Sequence, residues 1–172
     1  MWKKIRYAVA VCILCVLCAS TVAAEDAAPT AVRMEKPEYI ELVLVLDKSG
    51  SMQGLESDTI GGFNSMIEKQ KELAIPVRVT AVLFNDEMDV LYAHKDIRYV
   101  RPLTAKEYEV GGTTALLDAV GNTILRVERE PAVTREGTKV IFVIITDGLE
   151  NASTEFSKEK IKEMISDKQE ME

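Results

Sequence analysis

The sequence contains very little cysteine and histidine, the residues on which thiol chemistry, zinc sites and many catalytic triads depend. Its three cysteines, Cys12, Cys15 and Cys18, all lie within the first 24 residues, so a chain without that segment would contain none. Such a chain could form no disulfide, thiolate nucleophile or zinc–thiolate site. The one histidine, His94, has no serine or cysteine motif around it, which argues against a triad. Its place near the end of a predicted strand favours an exposed side chain.

Positive charges are outnumbered by negative ones. The chain has 21 lysines and arginines against 28 aspartates and glutamates, which gives a net charge of −7. Removing the first 24 residues would take away three cations and no acid, so the net charge would fall from −7 to −10. An acidic surface repels nucleic-acid phosphates and anionic lipids. We therefore expect no nucleic-acid partner, whereas a single carboxylate brought to a metal remains possible.

Residues 1–24 have the three parts of a secretory signal peptide. A positively charged start is followed by an apolar stretch over 8–19 and by small residues up to Ala24, after which cleavage is expected. The charged residues are Lys3, Lys4 and Arg6. The pattern predicts export to the cell envelope or outside the cell, with the leader engaging the membrane during export. The alternative is an uncleaved membrane anchor over 8–24, which is short for a span.

The rest of the chain is long enough for one domain. Residues 25–37 are rich in alanine, proline and charge, which is typical of an exported linker. Residues 38–172 then form the single predicted domain.

Two long apolar runs end abruptly in polar loops. Residues 42–46 lead into Asp47-Lys48-Ser49-Gly50-Ser51, and residues 140–145 lead into Thr146-Asp147-Gly148. A run that is apolar at every position favours a strand covered on both faces, as in a parallel sheet. Such sheets bind ligands at the carboxyl ends of their strands. Between the two runs, Gly111-Gly112-Thr113-Thr114 supplies a glycine turn with hydroxyls before a helix-periodic segment.

These loops supply only oxygen ligands, which select a hard cation such as Mg²⁺. Asp47 and Asp147 both follow runs that are too apolar to end in a charge without a partner. Neither motif contains a lysine or arginine that must pair with its aspartate, although Lys48 is adjacent in sequence. A bound cation would supply the positive partner that these two carboxylates need.

Together the three segments resemble the von Willebrand factor A domain and its metal-ion-dependent adhesion site. The pattern of that site is Asp-x-Ser-x-Ser, a threonine after a glycine-rich turn, and an aspartate before glycine. The matching residues are Asp47, Ser49, Ser51, Thr113 and Asp147. The resemblance extends over about residues 38–170 and is to a bacterial, secreted type.

The resemblance implies a three-layer, Rossmann-like α/β fold, with a mostly parallel sheet and one antiparallel edge strand. It implies a non-enzymatic module that binds a protein ligand through Mg²⁺ or Mn²⁺. A carboxylate of the ligand would complete the coordination sphere of the metal. Two alternatives stay open: a Mg²⁺-dependent phosphoryl or ester hydrolase with Asp47 as nucleophile, and a scaffold stapled by metal without a ligand.

Two side chains near the second loop have competing interpretations. Thr114 competes with Thr113 as the metal ligand, and spacing to the glycines favours Thr113 with Thr114 as helix N-cap. Asp118 lies on the following helix and either supports the metal ligands or belongs to a solvated face.

Periodicity predicts the remaining elements. Helices are expected over 55–74, 116–127 and from Ser157 onward, and a hairpin over 77–94. Gly61-Gly62 interrupts the first helix, and we expect these glycines to permit close packing on the sheet.

The strand over 139–146 is expected to lie at an uncapped edge. Members of the von Willebrand factor A family continue after the corresponding strand and helix with further strands and a closing helix, which this sequence lacks. Either the chain is a fragment, or a partner completes the sheet edge.

Overall fold

The computed structural model describes residues 6–12 and 37–169 of the chain. The predicted cleavage point after Ala24, nearly all of the predicted linker and most of the possible anchor lie outside these residues. Within the described part of the chain, no helix is long and apolar enough to cross a membrane.

A mixed sheet with helices on both faces forms the centre of the described structure. Its strands are β1 (Arg6–Cys12), β2 (Tyr39–Asp47), β3 (Val77–Phe84), β4 (Met88–Asp96) and β5 (Thr138–Ile145). The helices are α1 (Glu56–Lys71), α2 (Leu116–Glu128) and α3 (Lys158–Gln169), with short 3-10 turns at Gly50–Met52 and Ile97–Tyr99. The strand order is β1-β5-β2-β3-β4, and the β3–β4 pair is antiparallel. The predicted α/β fold with one antiparallel edge strand is confirmed.

Strand β2 is buried on both faces because successive side chains point to opposite sides of a strand. Its even-numbered leucines pack with Phe63 and Ile67 of α1. Val43 and Val45 between them pack with α2 and α3 on the other face. This double burial explains the unbroken apolar run before Asp47 and brings the polar loop to the carboxyl edge of the sheet.

Strands β3 and β4 form the predicted hairpin, but their ladder is irregular. The register shifts on either side of Ala81, as expected for a β-bulge. Opposite this irregularity, His94 has a φ of 49°, a left-handed conformation that is uncommon for histidine. The bulge therefore sets the direction of the His94 side chain, which the regular alternation of a strand would not predict.

The expectation that β5 lies at an uncapped edge is wrong for this structure. Strand β1 pairs with β5 in parallel along its length, from Arg6 opposite Lys139 to Cys12 opposite Ile145. Part of the predicted leader thus occupies the outer position of the sheet.

The glycine pair of α1 does not pack against the sheet, contrary to the expectation from the sequence. A Cβ added at Gly61 or Gly62 would have no neighbouring atom within 4 Å. By contrast, a Cβ at Gly121 of α2 would lie 2.7 Å from the Phe156 ring. Of these three helix glycines, only Gly121 allows a close approach.

We expect Gly61→Ala and Gly62→Ala each to stabilise the protein by about 1 kcal/mol, because alanine favours a helix interior and neither site is crowded. Chemical denaturation of the full chain measures the change. Gly121→Ala is the matched control, and it should destabilise the protein because the Phe156 ring must move. Destabilisation by either α1 substitution would contradict the assignment of these glycines to open surface.

Candidate metal site at the carboxyl edge of the sheet

Asp47 is the centre of a polar cluster at the carboxyl end of β2. Its side chain has no solvent exposure, and both carboxylate oxygens accept hydrogen bonds. The Ser49 backbone N–H donates to Oδ1 at 2.7 Å, and the Thr146 hydroxyl donates to Oδ2 at 2.7 Å. Thr146 follows β5 directly, so Asp47 links the ends of two neighbouring parallel strands. The serine hydroxyls of the loop, Ser49 Oγ and Ser51 Oγ, lie 3.0 Å apart.

The glycine-rich loop before α2 is hydrogen-bonded to the first loop. The Gly50 N–H donates to the Gly112 carbonyl at 3.1 Å, and the Gly111 N–H donates to the Lys48 carbonyl at 2.8 Å. A Cβ at Gly50 would lie 3.3 Å from the Gly112 carbonyl oxygen, so the two loops approach each other closely there. Two backbone bonds thus fix the second loop beside the serines.

Three oxygens, two from the loop after β2 and one from the loop before α2, converge around Gly148 of the third loop. A Cβ built there would lie 2.7 Å from Ser51 Oγ, 3.1 Å from Thr114 Oγ1 and 3.2 Å from Asp47 Oδ2. Only a residue without a side chain leaves this space open. The space therefore borders on a carboxylate and two hydroxyls, a donor set suited to a hard cation.

The two neighbouring threonines occupy different environments. Thr113 is exposed, and its backbone N–H donates to Asp86 Oδ1 at 3.3 Å. Thr114 is only 3% exposed, and its hydroxyl lies at the Gly148 space. The geometry brings Thr114, rather than the expected Thr113, to the other oxygens.

The predicted ligands of the third loop are also unevenly placed. Asp147 is exposed, whereas the preceding Thr146 reaches Asp47 through its hydroxyl. The Gly148 N–H donates to the Thr146 hydroxyl at 3.2 Å, which folds the loop back on itself. Thr146 and Gly148 were not singled out from the sequence, although both lie in the motif that pointed to Asp147.

Tyr108 stabilises the backbone of the first loop of the site. Its hydroxyl donates to the backbone carbonyl of Asp47. Burial raises the pKa of Tyr108 to about 12, so the phenol remains protonated and keeps this bond at physiological pH. No local sequence signal indicates this contact, because Tyr108 lies in a segment without regular periodicity.

The loop after β5 is fastened to the first turn of α2 by two acids. The Glu150 carboxylate accepts from the Leu117 N–H at 2.9 Å and from the Ser153 N–H at 2.7 Å. Burial alone would raise the pKa of Glu150, but the hydrogen bonds stabilise the charged carboxylate more strongly. The pKa of Glu150 is therefore lowered. Asp118 accepts from the backbone N–H groups of residues 154–156. Both acids therefore hold the third loop in place.

Two expectations for this region are corrected by these contacts. Thr114 does not cap α2, since the N-cap position is Ala115 and no side chain there provides a cap. Glu150 and Ser153 satisfy the first helical N–H groups instead. Asp118 is not simply part of a solvated face, because it anchors the loop that also carries Asp147.

Among the residues that the structure describes, no lysine or arginine neutralises the site. Lys48, next to Asp47 in sequence, pairs with Asp89 at 2.7 Å. Within residues 37–168, no lysine or arginine forms an ion pair with Asp47 or Asp147. A buried carboxylate without a positive partner is costly. The residues present therefore fit a divalent cation.

Hydroxyl groups must contribute to any such cation site. In the described residues, no three histidine, cysteine, aspartate or glutamate side chains come together in a way that could hold a metal. Two carboxylates supplemented by serine and threonine hydroxyls suit Mg²⁺, which keeps several waters and takes few protein ligands.

The fold and the three converging loops define the class of protein. Residues 41–170 match the family described as the von Willebrand factor type A domain. Because this match spans most of the chain, the chain belongs to the von Willebrand factor type A domain family. A comparison with curated proteins found no match.

Solved structures show the same fold at low sequence identity. The chain is similar to proximal thread matrix protein 1 from the mussel byssus, with a TM-score of 0.52 and 20% identity over 77% of this chain and 34% of that one. Another structure of that protein, with a zinc-occupied MIDAS motif, gives a TM-score of 0.53 and 20% identity over the same shares of the two chains. The chain thus spans about a third of the length of these relatives.

A second polar cluster lies at the opposite end of the sheet. Glu41 of β2 has no solvent exposure and accepts hydrogen bonds from Thr80 Oγ1 at 2.8 Å and Tyr39 OH at 3.2 Å. His94 Nδ1 lies 2.7 Å from the same carboxylate. The expectation of an exposed histidine is therefore wrong. The bulge in β4 turns His94 toward a glutamate that the sequence analysis did not consider.

The Glu41 cluster predicts that stability falls as pH rises above about 4.5. Burial outweighs the hydrogen bonds from Thr80, His94 and Tyr39 and raises the pKa of Glu41 above the usual glutamate value of 4.5. A raised folded-state pKa gives stability that is fully present below the unfolded pKa and is lost as pH rises through the folded pKa. Denaturation of Glu41→Gln between pH 4.5 and 8 should show a flatter profile than the wild type.

The control for this experiment is Glu159→Gln. Hydrogen bonds from its own backbone N–H and from Ser157 lower the pKa of Glu159, so that carboxyl contributes no stability that is lost as pH rises. Its substitution should leave the slope unchanged. An equal slope in Glu41→Gln and the wild type would contradict the prediction.

Proposed function

We propose that this protein is a metal-dependent protein-binding module. Mg²⁺ or Mn²⁺ would be held by Asp47, Ser49, Ser51 and Thr114, with Asp147 as the acid of the third loop. The observation that carries the proposal is the convergence of three oxygens around Gly148 beside a buried carboxylate that no described cation neutralises. Thr114 replaces Thr113 in this set because its hydroxyl borders the open space.

The bound cation would supply an electrophilic position for one acidic oxygen of a protein ligand. Asp47 is fixed by two hydrogen bonds, whereas Ser51 and Asp147 are exposed and leave that side accessible. Leu149, directly after Gly148, is 86% exposed and would offer the ligand an apolar contact beside the carboxylate. These features favour a partner that presents an acid within a protein surface.

The same geometry favours binding over catalysis. Asp47 is buried, and the open space beside its Oδ2 is the position assigned to the metal, so a reacting atom of a substrate would have no separate approach to this carboxylate. Its neighbour at the i+2 position is Ser49, not a second acid. We therefore assign no catalytic residue.

We further propose that the protein acts outside the cytoplasm, in the cell envelope or beyond it. The support is the pattern of residues 1–24, in which positive charge, an apolar stretch and small residues follow one another.

Mg²⁺ is expected to raise the melting temperature of the full chain, and Asp47→Asn should remove that rise. Asparagine keeps the shape of the side chain but lacks the charge that a divalent cation requires. At a metal concentration of about 100 times Kd, binding to the folded state alone contributes about 2.7 kcal/mol. Asp58→Asn on the exposed face of α1 is the matched control. The metal proposal fails if EDTA and Mg²⁺ give the same melting curve for the wild type.

Mn²⁺ distinguishes a ligand-binding site from a structural staple. Water bound to Mn²⁺ accelerates proton relaxation, and acetate should displace some of that water if one position is open to a carboxylate. Relaxation that does not respond to acetate would favour the scaffold. Hydrolysis of a generic phosphate ester that disappears in Asp47→Asn would favour the enzyme.

A further inference from the structure

A wide cleft lies between edge strand β4 and the segment over 97–107. Lys95 in the wall of the cleft pairs with Val79 near the start of β3, whereas Asp47 at the metal site pairs with Phe84 at the end of β3. The cleft therefore extends toward the end of the sheet opposite the metal site. Its volume is about 1220 Å³. Small-molecule pockets typically occupy roughly 300–1,000 Å³. The cleft is therefore large enough for several residues of a peptide.

The wall formed by residues 97–107 is fixed although it has little regular structure. Asn64 of α1 donates to the Leu103 carbonyl at 3.0 Å and accepts from the Leu103 N–H at 2.7 Å. The Arg101 N–H donates to Tyr92 OH at 3.3 Å. Ile97, Val100 and Leu103 are buried beneath the segment. A wall that is already ordered reduces the entropy cost of binding.

The cleft is locally basic in a chain with a net charge of −7. Lys95, Arg98 and Arg101 line it against one acid, Glu107. Arg98 is partly neutralised by Asp96, to which its Nη2 donates at 2.5 Å. Among the residues that the structure describes, Lys95 and Arg101 form no ion pair. Two exposed cations thus remain for a ligand.

Tyrosine rings lie beside these cations. Lys95 Nζ is 5.9 Å from the centre of the Tyr92 ring, and Arg98 Cζ is 5.8 Å from the centre of the Tyr99 ring. Tyr99 is 66% exposed, a large fraction for an aromatic side chain. Tyrosine and arginine are enriched in protein interfaces because they combine apolar area with polar groups.

We propose that this cleft binds an extended acidic peptide segment, with carboxylates at Lys95 and Arg101 and an apolar side chain against Tyr99. A peptide fits better than a nucleic acid, because a chain with a net charge of −7 and two available cations in the cleft disfavours a dense row of phosphates. Two available cations match a segment with a few carboxylates. This site is separate from the metal site and needs no metal.

The test uses the full chain in EDTA with a fluorescein-labelled hexapeptide of alternating aspartate and leucine. EDTA removes any contribution from metal-bound carboxylate, so a failure of the metal proposal does not affect this result. Fluorescence anisotropy should detect binding that weakens as salt rises to about 1 M, where the screening length is about 3 Å. A peptide of alternating asparagine and leucine should bind more weakly.

Lys95→Gln with Arg101→Gln should weaken binding about tenfold, as expected for the loss of two charge contacts. Arg126→Gln with Arg129→Gln at the exposed end of α2 is the matched control, because it changes the net charge equally. Tyr99→Ala should weaken binding without changing the charge. Equal weakening by both double variants, equal binding of both peptides, or tighter binding of a DNA oligonucleotide would overturn the proposal.

Discussion

Gly148→Ala is expected to abolish the stabilisation by Mg²⁺ while leaving the fold intact. The added methyl carbon would lie 2.7 Å from Ser51 Oγ and 3.2 Å from Asp47 Oδ2, inside the space that we assign to the metal. Gly148 is not among the positive-φ glycines, so alanine there adds no backbone strain of that kind. The effect should therefore come from the lost space between the oxygens.

The expected loss is as large as that from removing the Asp47 charge. At a Mg²⁺ concentration of about 100 times Kd, the variant should lose about 2.7 kcal/mol of metal-dependent stability. The measurement is the melting temperature with Mg²⁺ and with EDTA, supported by circular dichroism as a check of the fold.

Gly111→Ala is the control for this substitution. Gly111 lies in the neighbouring loop of the same site, but a Cβ there would have no atom within 4 Å. This variant should keep the Mg²⁺ response. If Gly148→Ala also kept it, the space beside Gly148 could not be where the metal binds.

The layers and the location of the site could be predicted from the sequence because they depend on continuous patterns. Apolar runs such as 42–46 identify doubly covered strands, and the carboxyl ends of parallel strands meet at one edge. The β3–β4 hairpin also follows from local sequence. The apolar runs thus indicated that the loops after β2 and β5 would meet, and the glycine turn before α2 was added from the family resemblance.

The choice between Thr113 and Thr114 could not be made in the same way. Loops lack a fixed side-chain period, so spacing from the glycines does not determine which hydroxyl points inward. The selection depends on distant contacts: the Thr114 N–H donates to Asn151 Oδ1 at 2.9 Å, and the Thr114 carbonyl accepts from the Asn151 N–H at 3.1 Å. Such contacts exist only after the third loop has folded.

The Glu41 and His94 pair was missed for a related reason. A glutamate inside a buried strand looks like an exception to the apolar pattern, and its partner lies 53 residues away. The irregular β3–β4 register and the left-handed backbone at His94 bring the two together. Strand periodicity alone would not place that side chain correctly.

Removal of residues 1–24 is expected to make the protein aggregate or lose much of its stability. The removed segment contains β1, whose seven residues pair in parallel with β5. Without β1, the outer backbone donors and acceptors of β5 would lose their partners. Several kcal/mol would be a large share of the roughly 5 to 15 kcal/mol that stabilises a domain. Size-exclusion chromatography and thermal melting of the shortened chain measure the effect.

A cross-link tests the β1–β5 pairing independently of solubility. Cys12 is the register partner of Ile145, and neighbouring strands are about 4.8 Å apart, within the Cα separation that a disulfide spans. Ile145→Cys, made together with Cys15→Ser and Cys18→Ser, should therefore form a disulfide with Cys12 on oxidation. Lys139→Cys in the same background is the control, because Lys139 pairs with Arg6 at the other end of the strand.

Residues 6–12 belong both to the predicted leader and to β1, so the two experiments are informative together. Residues 6–12 cannot lie in a membrane during export and pair with β5 at the same time. If the cross-link forms and the shortened chain aggregates, cleavage after Ala24 would expose an edge that some other strand must cover. The opposite result would be a shortened chain that is monomeric and melts cooperatively, together with a full chain that forms no specific cross-link. That result would show that β5 tolerates an open edge and that β1 contributes little to stability.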